Sequence, residues 1–294
     1  MASLRDLKRQ IQSIDNISKV TGALQTVYGV KFRRAEARVG RARPYADNMQ
    51  QMMQDIAGKG GGNNPLLAGR GETRRVAIVA MTADRGLCGG FNAQLLRRAN
   101  RFRQEFDGPE LRQVAIGRKA VSFFSFRRIP LLETFTGITE EPTYEDAQRI
   151  GRYLTSVFED EEADEVYLVY NRFQSAMVQI PTVTRLLPAA PEEGGQEESA
   201  GNQQQGIGIP FEYVPDADDL LDSLVPRYVE TVIFQSLLET AAGQHGARMT
   251  AMKSATDNAN EMSDRLTLQM NKARQAQITQ EILEIASGAE ALSG

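Results

Sequence analysis

The densest group of side chains that could do chemistry is Asp84-Arg85-Gly86-Leu87-Cys88-Gly89-Gly90-Phe91-Asn92. It lies between a strand-like run, Val76 to Met81, and a helical segment from about Asn92 to Phe106. An α/β nucleotide-binding domain keeps its phosphate loop at this place. The spacing, however, fits neither G-x-G-x-x-G nor G-x-x-x-x-G-K-[ST], and no acidic ribose partner follows at the expected distance. A structural turn is the simpler reading, and a small nucleotide-binding enzyme on the α/β domain stays as the alternative. Cys88 could act as a nucleophile, but the single histidine, His245, is far away in sequence. A metal needs several ligands, and His245 has no His or Cys partner. Glu281 and Glu284 lie three apart on one helix face, yet acid–base catalysis needs a concave pocket. Glu159-Asp160-Glu161-Glu162 reads as a solvated edge, and Met249, Met252, Met262 and Met270 as packing. No catalytic residue, cofactor or metal is expected.

The elements that would position these residues fall into three parts. Ser3 to Ile56 carries apolar or small residues at Leu4, Leu7, Ile11, Ile14, Ile17, Thr21, Leu24, Tyr28 and onward to Ile56. The mean step is close to 3.5, the period of a coiled coil. Pro44 predicts a local irregularity. Gly58 to Pro65 ends the helix. The middle alternates strand and helix: strands at 76–81, 114–116 and 165–170, and helices at 92–106, 118–126 and 144–158. That alternation implies a parallel α/β domain. Met177 to Leu187 reads as an added strand, antiparallel in sense. Pro188 to Gly208 reads as a mobile surface loop.

The last third, Leu220 to Leu292, consists mostly of good helix formers. Its inward series is Leu221, Leu224, Tyr228, Leu238, Ala242, Met249, Met252, Ala259, Leu266, Met270 and Ala273. Thr231, Gln235, His245, Thr256 and Ser263 fall on the same seam. The expected fold is α/β plus a long antiparallel coiled coil, in which the terminal helices pair and a small Rossmann-like domain lies between them. The expected parts are residues 1–58, a foot domain at 73–187, a loop at 188–210 and a helix at 216–292. At 1.5 Å per residue the C-terminal helix outruns its partner by roughly 25 Å or more. A lone helical tip costs ordering entropy without burial, so something outside the chain should enclose it.

Bulk properties narrow the classes. The 294 residues are 41% hydrophobic and 24% charged, with a net charge of −4 and one cysteine. An internal disulfide is excluded. No apolar run is long enough to span a membrane, so direct membrane insertion is not expected, and the N-terminus lacks a signal-peptide apolar region. Residues 1–43 hold ten Lys/Arg against three acids, about +7 by direct count. These cations spread round several helix faces without interleaved aromatics, so acidic protein surfaces fit better than nucleic acid.

Several separated motifs carry a resemblance over essentially the whole chain. They are Ile278-Thr279-Gln280-Glu281-Ile282-Leu283-Glu284-Ile285-Ala286-Ser287-Gly288-Ala289, Asn271-Lys272-Ala273-Arg274-Gln275-Ala276, Ala247-Arg248-Met249-x-Ala251-Met252, the 84–92 loop, Ile11-x-Ser13-Ile14-x-Asn16-x-x-Lys19-Val20-Thr21, and Arg43-Pro44-Tyr45-Ala46. The chain resembles the gamma subunits of F-type ATP synthases of the bacterial type, the central rotor shaft. The resemblance implies a non-catalytic subunit turned by a proton-driven c-ring. Its paired helices would lie inside three alpha and three beta subunits, and its foot would rest with epsilon on the ring. The implied place is the cytoplasmic face of the bacterial inner membrane, held peripherally. It also implies that Arg274, Gln275, Thr279 and Glu281 contact beta-subunit loops, that Arg33 and Arg34 face acidic beta loops, that Leu24 keeps an apolar contact, and that Tyr213 lies near the c-ring. One departure is Gly22-Ala23-Leu24, where the family usually has Lys-Ala-Met. Gly22 inside a helix costs roughly 1 kcal/mol relative to Ala.

Overall fold

The computed structural model describes residues 3–57, 65–189 and 217–293. The elements run α1 (Leu4–Ala57), α2 (Pro65–Ala68), β1 (Arg75–Met81), α3 (Phe91–Gln104), β2 (Glu110–Ile116), α4 (Arg118–Phe126), β3 (Leu131–Phe135), α5 (Tyr144–Glu159), β4 (Glu165–Phe173), β5 (Gln179–Leu187) and α6 (Ala217–Ser293). Contacts divide the chain into two compact units. One comprises residues 1–30 with 248–294, and the other residues 31–247. Helices α1 and α6 each contribute to both.

In the larger unit five strands form one sheet in the order β3-β2-β1-β4-β5. β1 pairs in parallel with β2 and β4, β2 in parallel with β3, and β5 antiparallel with β4. β1 is buried on both faces, as parallel strands are. Its alternate residues split between two cores: Val76, Ile78 and Ala80 face α3 and α4. Ala77, Val79 and Met81 face α5 and α6. Helix α5 starts with a reciprocal cap, in which Thr143 and Asp146 satisfy each other's backbone N–H groups.

The smaller unit is an antiparallel helix pair. Cross-helix hydrogen bonds fix its register: Asp15 with Ser263 at 2.7 Å, Ser18 with Asn260 at 2.6 Å and Thr21 with Thr256 at 2.7 Å. Among the half-buried or buried positions on α1, Leu4, Leu7, Ile11, Ile14, Ser18 and Thr21 step by three and four. On α6 the matching series is Thr256, Ala259, Ser263, Leu266, Met270 and Ala273. This is the heptad seam expected of a two-helix coil.

The structure corrects some sequence expectations. Ile17 is 51% exposed and Ser18 takes the inward place. A mean step of 3.5 does not say whether a given step is three or four, and the next step here is four. β3 was not anticipated, because Leu131 to Phe135 is short and half-exposed and lacks strand periodicity. α1 stays helical through Pro44. From residue 190 onward, the expected loop lies outside the described residues.

Glycines give opposite predictions in the two units. A Cβ on Gly22 would meet only Thr256 Cγ2 at 4.0 Å, whereas one on Gly246 would lie 2.9 Å from the Ala176 Cα. Gly22→Ala is expected to raise unfolding stability by about 0.5–1 kcal/mol. Gly246→Ala should lower it by about 1–3 kcal/mol. Urea unfolding of the two variants checks both signs.

Candidate functional site

The C-terminal ends of β1 and β4 form the switch point where an open α/β sheet normally binds its ligand. Here three loops are tied together by one carboxylate. Asp84 accepts hydrogen bonds from the backbone N–H groups of Arg118 (3.1 Å), Gly137 (2.9 Å) and Thr139 (3.1 Å), and from the Thr139 hydroxyl (2.7 Å). Partial burial opposes ionisation of Asp84, but these donors outweigh it and hold the carboxyl below its usual pKa. Gly117 closes the same knot. It has φ +88°, and a Cβ there would lie 2.2 Å from the Thr82 carbonyl oxygen.

The crevice beside this knot is filled by α6. Gly243 lets the helix approach so closely that a Cβ would be 2.9 Å from the Phe91 ring and 3.2 Å from Gln179. Ala83, Cys88 and Phe91 form a small apolar cluster with Ala247 against it. Cys88 is 2% exposed and receives a hydrogen bond from the Asn92 amide at 3.1 Å. The thiol is thus packed, with no histidine beside it. The 84–92 loop forms a knot and a lining for α6, and the alternative of a nucleotide enzyme finds no phosphate cradle there.

His245 is buried, with Nε2 3.1 Å from the Glu140 carbonyl oxygen. The Glu140 carboxylate is held by Lys31 and Arg85, each at 3.3 Å. Among the described residues no group of three His, Cys, Asp or Glu could hold a metal ion. A cleft of about 650 Å³ beside β4 and β5 is lined by Arg43, Tyr170, Arg172 and Glu239. Its Glu239 is committed to the Phe173 N–H at 2.9 Å and the Gln235 amide at 2.9 Å. Burial and the Glu239 charge push the Tyr170 phenol up to about 12. Within the cleft Glu239 is therefore engaged by two donors and Tyr170 stays protonated at neutral pH.

The remaining sequence-predicted residues lie on surfaces. In the smaller unit α6 is exposed at every position from Arg274 to Gly288. The register pairs residue 15 with 263 and 18 with 260, which places Leu4 opposite Arg274. Past that point α6 has no α1 residue to pack on. Arg274, Gln275, Thr279 and Glu281 all stand on this end. So do Ile278, Ile282, Leu283 and Ile285, the last 73% exposed. Gln277 donates to Glu281 at 2.9 Å and Gln280 to Glu284 at 3.0 Å, so both carboxylates are engaged along the helix surface. Leu24 is half-buried in the same unit. Arg33 and Arg34 are exposed on α1 in the larger unit. Tyr213 lies outside the described residues. Sequence reasoning gave no separate role to Arg248. It is 1% exposed, with its guanidinium 4.6 Å from the centre of the Tyr28 ring. Its place one turn beyond His245 on the inward seam was the available signal.

Comparison with known proteins decides what such a chain is. A family model described as ATP synthase matches residues 3–292. The ATP synthase gamma chain of Rubrobacter xylanophilus is 66% identical over 293 residues, covering 100% of this chain and 99% of that one. The gamma chain of Pelotomaculum thermopropionicum is 44% identical, covering 99% and 100%. The chain belongs to the ATP synthase gamma family. Solved structures agree on the fold. A chain of the Euglena gracilis mitochondrial ATP synthase has a TM-score of 0.66 at 17% identity, covering 98% of this chain and 94% of that one. A chain from the Tetrahymena thermophila central stalk and c-ring has a TM-score of 0.60 at 20% identity, covering 80% and 99%. As a gamma chain this protein is a non-catalytic rotor subunit, which agrees with a switch point filled by its own helix.

The Asp84 knot makes the stability of this gamma chain pH-dependent. Asp84 has a lowered folded pKa, so its contribution is full above the unfolded carboxylate value, about 3.9, and is lost as pH falls through the folded value. Asp84→Ala is expected to cost about 2–3 kcal/mol at neutral pH through orphaned donors. The gap to wild type should narrow below about pH 4. Urea unfolding across pH checks this, and a gap that does not change with pH would reject it.

Proposed function

We propose that this gamma-family chain couples rotation of a membrane-embedded, proton-driven c-ring to conformational cycling of the catalytic beta subunits. The observation that carries the reading is the α6 end. A helix with Ile278, Ile282 and Ile285 repeating along one side and exposed to water is an unmet packing surface. A ring of three alpha and three beta subunits around one gamma would bury it. Within that ring Arg274, Gln275, Thr279 and Glu281 would meet beta-subunit loops, where their polar groups can pair as the apolar stripe slides. Arg33 and Arg34, exposed and without an ion pair among the described residues, suit acidic beta-subunit surfaces. Leu24 would keep an apolar contact in the ring, and Tyr213 would serve the foot near the c-ring with epsilon.

The supporting geometry is mechanical. The smaller unit is a two-helix coil with hydrogen-bonded register, able to transmit torque as one body. None of the described helices is long and apolar enough to cross a membrane. As a gamma-family chain the protein is a peripheral part of the membrane complex. We place that complex at the cytoplasmic face of the inner membrane.

Copurification should give one copy of this chain for three beta subunits, and equal numbers would overturn the reading. Deleting residues from Gln275 onward should lower ATP-driven proton pumping roughly threefold or more, because the apolar anchors are lost. The larger unit should keep its unfolding midpoint. Pumping at the wild-type rate after that deletion would refute the role of the tip.

A further inference from the structure

Helices α3 and α4 cover one face of the sheet, and nothing in the described chain covers them in turn. Their inward residues, among them Leu95, Ala99, Phe102 and Phe124, belong to the core. Several of their outward residues are cationic. Arg97 and Arg101 are one turn apart on the exposed side of α3. Arg127 donates to the Asn100 side chain at 3.2 Å, which brings the end of α4 against this part of α3. Its guanidinium lies 4.2 Å from the centre of the Phe123 ring. Among the described residues, none of Arg97, Arg101, Arg127 and Arg128 forms an ion pair. The nearby Glu105 is taken by Arg98 at 2.8 Å. Phe126, next to Arg127 at the end of α4, is 89% exposed.

Two further observations set this face apart from an ordinary solvated surface. Arg128 has φ +56°. It follows the last turn of α4, with its N–H bonded to the Ser125 carbonyl and the Ile129 N–H to that of Phe124. Glycine is the unstrained residue at such a helix end, so an arginine is held there against a backbone preference. The second observation is location: a gamma-family chain is a peripheral part of a membrane complex, so the membrane surface is among the partners available to an exposed basic face.

We propose that this arginine and phenylalanine face binds anionic phospholipid headgroups at the membrane surface, an inference that rests on the rotor reading above. Guanidinium groups attract the negative surface potential of such a leaflet, and a flanking aromatic ring suits the headgroup layer. The chain as a whole carries −4, so the attraction depends on local clusters of cations such as this face. The contact would steady the foot laterally while leaving it free to turn, since headgroups are fluid.

The test uses the soluble assembly of alpha, beta, epsilon and this chain, prepared without the membrane sector, in sedimentation with phospholipid vesicles. Wild-type assembly should sediment with phosphatidylcholine vesicles containing phosphatidylglycerol, and not with phosphatidylcholine alone, and high salt should release it. Arg97→Gln and Arg101→Gln should each weaken binding about fivefold. Arg128→Gly should weaken binding similarly while raising the unfolding midpoint, which a purely structural arginine would not do. Phe126→Ser should weaken binding with little effect on its salt dependence. Equal binding to neutral vesicles, no binding to either, or variants that bind as wild type would overturn the proposal. Failure of the assembly itself to form would instead count against the rotor reading.

Discussion

The packing of α6 against the open end of the sheet is the constraint on which the rest depends. Two glycines permit it. At Gly243 and Gly246 the helix backbone lies so close to Phe91, Gln179 and Ala176 that a single added carbon would collide with each. Interiors pack at the density of organic crystals, so such contact leaves no room for a ligand and little for motion. The hydrogen bonds of Gln244 to the Thr139 carbonyl and of Glu239 to the Phe173 N–H lock the same stretch to the loops after β3 and β4. One continuous helix is in this way a core element of the α/β unit and one half of the two-helix unit.

That arrangement turns a nucleotide-binding architecture to another use. The loop after β1 keeps the position of a phosphate loop, yet its side chains are spent internally. Asp84 collects four donors from two other loops, and Asn92 holds the Ala83 N–H and the Cys88 sulfur. The polar groups that would greet a substrate are satisfied by the protein itself. A half-buried charge paired with this many donors is costly to disturb, so the loop gains rigidity where an enzyme would need access.

The two-helix unit uses a different balance. Its seam mixes Leu4, Leu7 and Ile11 with Ser18, Thr21, Thr256 and Ser263. The polar pairs at 15–263, 18–260 and 21–256 give up some apolar burial and gain a single register, because slipping the helices would leave partly buried hydroxyls unpaired. Beyond Leu4 the seam has no partner among the described residues, and Ile278, Ile282, Leu283 and Ile285 of α6 are exposed.

Much of this was legible in the sequence. Heptad spacing gave both long helices nearly to their ends, the run Val76 to Met81 gave the central strand, and Met177 to Leu187 gave the antiparallel edge. These signals are local, since they depend on which residues repeat along one element. The excess of α6 over α1 followed from length alone. The same local logic missed β3, whose half-exposed residues show no period, and it placed Ile17 inward where Ser18 belongs, because only the facing helix settles each step. The burial of Arg248 over Tyr28, the Asp84 knot and the filling of the switch point join residues tens to hundreds of positions apart. Only the tertiary structure decided these. Whether a carboxylate, a thiol or a glycine is a site or a joint depends on what the folded chain brings against it.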